Sequence, residues 1–263
     1  MVVFFVVAAA SAQDQKPPAA SASTELKATP EAKAALDKMD KLLDRAADKG
    51  LKELQATFTN GDTHGSPTTV KLTFTAPATF KPDAPVGRDK GFGYQVVGTV
   101  RAAMNGMWPH DGETGDVELT KKNGNDVLVI LWRGKDGATT QTEHTLGASG
   151  LPASTAMIMH WTASGVERER TFGSKYTWEK AGDKYRLSKH EATFGDGMGS
   201  SIVTITYTVF NGMTIPTSWT TEVPEVGGHS ETRMTELSIN GKSIELKKAG
   251  DEEPAKPKPK DDK

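Results

Sequence analysis

The chain has 263 residues, with 32 Lys and Arg against 34 Asp and Glu, a net charge of −2, and no cysteine. Both signs are interspersed, so no basic stripe offers itself to nucleic acid. Without cysteine a disulfide scaffold, thiol catalysis, Cys-ligated zinc and an acyl anchor on the mature N-terminus are all excluded.

Residues 1–12 read as a secretory signal peptide: an apolar core from Val2 to Ala10 closes on the small-residue pattern Ala10-Ser11-Ala12. The core is too short for a permanent membrane span, which needs about 20 residues, and no later apolar run approaches that length. No Lys or Arg precedes it. The expectation is an exported protein, periplasmic or extracellular, soluble after cleavage behind Ala12 and not integral to a membrane. Residues 13–29 are rich in Ala, Ser and Pro and read as a disordered linker. Residues 249–263 alternate Pro with Lys and read as an extended, solvated tail. Between them lies a single β-rich domain, 30–248, large enough to bury roughly 70% of its unfolded surface unaided.

One amphipathic helix opens the domain, expected over 30–49. Thr29 can cap it, Pro30 suits its first position and Glu31 complements its dipole. Ala32, Leu36, Met39, Leu43, Ala46 and Ala47 recur at 3/4 spacing, opposite Asp37, Lys38, Lys41, Asp44, Arg45 and Asp48, and Gly50 is a natural stop.

Everything after Gly50 reads as strands, eight to ten of them. Five of the six asparagines precede glycine (Asn60, Asn105, Asn123, Asn211 and Asn240), the dipeptide favoured in tight hairpin turns. Val70, Leu72 and Phe74 alternate with Lys71, Thr73 and Thr75; Val203, Ile205, Tyr207 and Val209 alternate with threonines. Tyr94, Val96, Val100 and Ala102 share one parity, as do Trp219, Thr221 and Val223. Such period-2 patterns give a sheet with one buried and one wet face. Asp126 to Trp132 is apolar on both parities, as in a strand covered on both sides, and 152–160 could form a short second helix. The facing of Trp132 and Trp178 stays ambiguous.

The order of elements resembles that of the LolA/LolB-like lipoprotein-carrier superfamily. The resemblance rests on one amphipathic helix, the strand Leu51–Phe58, a second strand ending in Pro77-Ala-Thr-Phe80-Lys81, and a long meander with Ile215-Pro216 opening a late strand up to Trp219. It implies an unclosed antiparallel half-barrel, α+β in class, with the helix packed on its concave face over an apolar cavity that carries acyl chains. Two departures stand out. Ala76 occupies the place of the carrier's lid-bonding arginine, and the cysteine of the receptor form is missing.

Under that resemblance Leu36, Met39, Leu43, Phe74, Val96, Val100, Val129, Tyr207 and Trp219 are the candidate lining of the cavity; otherwise they simply make the core beneath the helix. An acyl chain gains about 0.8 kcal/mol per buried CH₂, so a modest groove would hold one. The densest polar cluster, His110, Asp111, Glu113 and Asp116, could ligate a divalent metal or supply an acid and a base, but Pro-His-Asp-Gly is equally good turn chemistry. Gly195–Gly199 lies between strands as a hairpin loop rather than a phosphate cradle, and neither Gly-x-Ser-x-Gly nor Ser-x-x-Lys occurs.

The expectation is therefore a non-catalytic, cofactor-free binding or carrier protein of the bacterial envelope. Its ligand would be an apolar small molecule or an acylated protein, with a transient envelope protein as a further partner. The alternatives are a structural or interaction module without a cavity, towards which the apolar fraction of 36% leans, and a metal-dependent hydrolase using the His110 loop.

Overall fold

Hairpins set the architecture. The computed structural model describes residues 27–62, 67–76, 79–83, 89–105, 115–133, 139–163, 166–195 and 199–246. The strands are β1 (Lys27–Ala28), β2 (Glu53–Asp62), β3 (Thr68–Thr75), β4 (Thr79–Asp83), β5 (Gly115–Lys122), β6 (Asn125–Arg133) and β7 (Thr139–Leu146). They continue as β8 (Pro152–Ala163), β9 (Val166–Ala181), β10 (Lys184–Phe194), β11 (Ser200–Phe210), β12 (Met213–Val223), β13 (Gly228–Ile239) and β14 (Lys242–Ile244). Two helices, α1 (Pro30–Leu42) and α2 (Asp89–Asn105), complete the set.

Among the described residues all fourteen strands join one sheet, in the order β1-β5-β6-β7-β8-β9-β10-β11-β12-β13-β2-β3-β4, with β14 on β13. The long meander from β5 to β13 returns to pair with the first hairpin, β2–β3. β4 and the β1/β5 side remain as edges with no pairing between them, so the sheet is unclosed. Every pairing is antiparallel except the two-residue contact of β1 with β5.

Three of the Asn-Gly pairs make the expected turns. Asn123 and Gly124 have φ of 52° and 79°, Asn211 and Gly212 49° and 80°, Asn240 and Gly241 50° and 77°, the paired positive values of tight hairpins. Asn60 instead lies inside β2, and Asn105 ends α2.

Three further expectations are corrected. The segment of Tyr94, Val96, Val100 and Ala102 is helix, not strand: Phe92, Val96, Val100 and Met104 are buried at four-residue spacing, a period that fits one face of a helix as well as an alternating strand. Residues 152–160 are strand, part of β8. The first helix stops at Leu42, because Leu43 turns extended (φ −83°, ψ 138°) and bridges Tyr185 of β10; a single 3₁₀ turn, Ala47–Lys49, follows before Gly50. Its start is as expected, with Pro30 in the first turn and Thr29 Oγ1 accepting from the Ala32 amide at 3.2 Å.

Both helices pack on the same face of the sheet. Cross-strand pairing links Leu128 of β6 through His144, Thr155, Ser174, Ala192 and Ser201 to β11; from there Ile205, Trp219, Thr232 and Asn60 continue the face to β2. On this face α1 buries Ala32, Met39 and Leu43 against Val117, Leu128, Ile130 and Leu151. Its second cluster sets Phe92, Val96 and Val100 of α2 among Phe58, Phe74, Ile205 and Trp219. Trp178 touches both clusters.

Asp44 fastens the end of α1 to the sheet. Its amide donates to the Tyr185 carbonyl at 2.8 Å, and its buried carboxylate accepts from Lys49 Nζ at 2.5 Å and from the Thr214 hydroxyl at 2.7 Å. Asp44→Ala should therefore cost about 2 kcal/mol, since it strands both donors. Thr214→Val should cost about 1 kcal/mol, and the solvent-facing Asp37→Ala less than about 0.5 kcal/mol. Urea midpoints of the three variants check the ranking; a neutral Asp44→Ala would remove the clamp from the account.

Candidate functional site

The helix-bearing face of β6 to β10 changes character along the strands. Near the α1 end it is apolar and packed, with Leu146, Leu151 and Trp178 around the helix, and the Trp178 indole donates to the Pro152 carbonyl at 2.7 Å. One level further lies a polar row, buried at His144, Thr155 and Tyr176 and half-buried at Ser174 and His190. His144 Nδ1 and Thr155 Oγ1 share a hydrogen bond of 2.6 Å, Tyr176 bonds the hydroxyls of Thr155 and Ser174, and His190 Nε2 and Ser174 Oγ lie 3.1 Å apart. The His190 ring stacks on Tyr176 at 5.2 Å between centroids.

Burial governs the charges of this row. It pulls the His144 and His190 imidazoles down to about 4, so both are neutral at pH 7, and it pushes the Tyr176 phenol upward. The row is thus uncharged, and its hydroxyl and imidazole groups partner one another. It can position a neutral polar group but brings no activated nucleophile.

Beyond the row, towards the far ends of the same strands, the face turns apolar again and is only half covered. Met157 pairs across to Phe172, and Phe172 to Phe194, whose rings meet edge to face at 6.5 Å. Met159 extends this strip beside Trp132, with Thr140 between them in the register. Met157 keeps 36% of its surface exposed, and Met159, Phe172, Phe194 and Trp132 are half-buried. Arg170 lies over the Phe172 ring at 6.0 Å.

The expected site residues separate. Leu36, Met39 and Leu43 join the α1 cluster, while Phe74, Val96, Val100, Tyr207 and Trp219 join the α2 cluster, so the structure brings them together as two groups. Tyr207 also donates its hydroxyl to the Leu187 carbonyl at 2.6 Å and carries Arg186 over its ring. Val129 departs from expectation. It alternates with Leu128 and Ile130 and therefore points to the opposite face, between Glu118 and Glu143 of the neighbouring strands. His110, Asp111 and Glu113 lie outside the described residues. Among the described residues no three His, Asp or Glu side chains are gathered as a metal site.

A charged cleft of about 520 Å³ lies on the outer side of α1, lined by Asp37, Asp40, Lys41, Arg45, Asp48 and Lys184. Arg45 pairs with Asp40 there, and Lys184 with Asp48 at 3.4 Å. Burial raises the Asp40 carboxyl despite its arginine. All six lining side chains are Asp, Lys or Arg.

Sequence reasoning missed His144, Tyr176, His190, Met157, Phe172 and Phe194. The alternation of Met157 with Met159 was a usable signal; the convergence of two histidines 46 positions apart needed the register of four strands.

No protein-family model matches the chain, and no curated protein matches it. Among solved structures it is similar to a domain from Vibrio parahaemolyticus named for outer membrane lipoprotein sorting, at 8% identity over 80% of this chain and 92% of that one, with a TM-score of 0.33. A DUF1329 family protein from Desulfovibrio piger matches at 10% identity over 81% and 94% of the two chains, TM-score 0.30. A LolA superfamily protein from Nitrosomonas europaea matches at 10% over 79% and 93%, TM-score 0.28. At these TM-scores the overlap carries no argument about fold, ligand or site.

The neutral histidines make stability depend on acid. Unfolded, each titrates near 6.5; folded, near 4, so the unfolded chain binds more protons between those values. Their contribution is full above about pH 6.5 and is lost as the pH falls towards 4, by about 2.5 kcal/mol per imidazole at pH 4.5. His190→Leu should flatten the fall in urea midpoint between pH 7 and pH 4.5, and an unchanged slope would place His190 in contact with water.

Proposed function

We propose that this chain is an exported, non-catalytic binding or carrier protein for an apolar ligand, a lipid or acyl chain, in the bacterial envelope. The observation that carries it is the half-covered strip of Met157, Met159, Phe172, Phe194 and Trp132, on the same face as both helices and beside a neutral polar row. An apolar strip left half-covered beside packed clusters is what a ligand or partner would cover. The signal-like residues 1–12 support export. Among the described residues no helix is long and apolar enough to cross a membrane.

A second reading, a structural or interaction module, is favoured by the filling of the two cores. Met39, Leu43, Phe74, Val96, Val100 and Trp219 are each almost wholly buried by protein side chains. In the carrier reading they are scaffold, and the ligand lies on the strip.

Organic extraction of the mature protein, purified from a bacterial periplasm without detergent, followed by mass spectrometry, decides between the two. A stoichiometric lipid or fatty acid is expected. Phe172→Asp should weaken uptake of a fluorescent fatty acid by about tenfold or more, since it sets a charge in the path of the chain. A blank extract with no subsequent uptake sinks the carrier reading and leaves the module.

A further inference from the structure

Where β8 turns into β9, the sheet sorts its charges by face. Glu167, Arg168, Glu169 and Arg170 follow one another along β9, and strand alternation sends the arginines to one side and the glutamates to the other. The register fixes which side is which. Phe172 pairs with Met157 on the helix-bearing face, so Arg170 lies opposite Met159 on that same face, and Arg168 follows opposite Trp161. Glu169 lies opposite His160 on the other face, its carboxylate 3.5 Å from the imidazole Nδ1.

The two arginines therefore end the apolar strip. Arg170 is half-buried, with its guanidinium carbon 6.0 Å from the centre of the Phe172 ring, and Arg168 is exposed one step further out, about 7 Å along the strand. The acidic residues of β6 to β10 are all placed away from this edge. Glu143, Glu167, Glu169 and Glu191 alternate to the opposite face, while Asp126 and Glu179 lie towards the α1 ends of their strands, paired with Lys121 and Arg186. Glu225, in the turn after β12, is held by the hydroxyl of Ser200, which pairs with Thr193 and so belongs to the opposite face as well. A carboxylate at the edge would thus meet guanidinium groups, which present it a fork of N–H donors and stay charged at any working pH. Behind it, the row Arg170, Met159, Thr140, Trp132 crosses four neighbouring strands, about 14 Å at the usual strand spacing. Phe172 and Met157 flank that row one step inward. The same sorting argues against an anionic bilayer as the occupant: meeting this end of the hairpin, it would face Glu167 and Glu169 together with the arginines.

We propose that Arg170 and Arg168 receive the carboxylate of a medium-chain fatty acid whose chain lies on Met159, Met157 and Phe172. The proposal rests on the carrier reading and names its ligand as a single-chain anionic amphiphile. The test compares three probes of equal tail, decanoate, 1-decanol and decyltrimethylammonium, at neutral pH and below their micelle concentrations. Each competes with the uncharged dye N-phenyl-1-naphthylamine for the mature protein. The wild type should prefer decanoate to decanol by about fivefold or more, less so in high salt, and should take decyltrimethylammonium worst. Arg168→Gln combined with Arg170→Gln should bind decanoate no better than decanol, with its decanol affinity unchanged; the corresponding pair of Lys substitutions should keep part of the preference. Equal binding of decanoate and decanol by the wild type would overturn the carboxylate site and leave the carrier reading standing. A decanoate preference that survives the double Gln change would do the same. Sedimentation with phosphatidylglycerol vesicles that the double Gln variant loses, without displacement by decanoate, would make the arginines a membrane contact and overturn the site too. Binding of none of the three probes, by displacement or by calorimetry, would remove the site and the carrier reading together.

Discussion

The constraint on which everything else depends is that one continuous sheet carries both helices and both apolar clusters on a single face and does not close. Thirteen strands in hydrogen-bonded order span about 58 Å at the usual strand spacing, measured across the strands. A helix covers a swath only about 10 Å wide, and α1 and α2, with 13 and 17 residues, are about 20 and 26 Å long. Two such helices cannot cover that face. Each buries the patch beneath it and leaves ground between. The apolar strip of β6 to β10 lies in that remainder, which is why it is half-covered while the clusters on either side are packed.

The placement of the helices follows from the same constraint. α2 occurs in the chain between β4 and β5, the strands at or beside the two unpaired edges, so the connection across the open side is itself a covering element. α1 is held differently. Its apolar face meets β5 and β6, but its C-terminal end is fixed by Asp44, which reaches the β10 backbone and Thr214 of β12 at once. That clamp also explains why the helix is shorter than its amphipathic pattern. Leu43 and Ala46 keep the 3/4 spacing and are buried, yet the backbone leaves the helix at Leu43 because Tyr185 offers it a strand-like bridge.

Much of this was legible in the sequence, and the parts that were not share a cause. Asn-Gly pairs marked three hairpins, and of Asp126 to Trp132, read as a strand covered on both sides, Val127, Leu128, Val129 and Ile130 are buried. Valines at 96 and 100 misled, since a spacing of four satisfies both a strand and a helix and β-branched residues tilt the choice towards strand. Val129 misled for a related reason. In a strand apolar on both parities the sequence does not say which parity meets the helices, and Leu128 and Ile130 do. The candidate site was less legible still. His144, Thr155, Tyr176 and His190 come from four strands, and only their register makes them neighbours.

The two polar rows on the helix-bearing face show opposite solutions to one problem. A polar side chain sunk among apolar neighbours must be matched or it opposes folding. In the first row imidazole, phenol and hydroxyl groups match one another, and the cost of burial appears instead as histidines that resist protonation. In the second, Trp219, Thr232 and Asn60 have chemically complementary atoms and no match among themselves. On β7 to β10 the buried His144, Thr155 and Tyr176 and the half-buried Ser174 and His190 are all matched. Three more polar atoms on the same face, a few strands away, have no such match among the described residues.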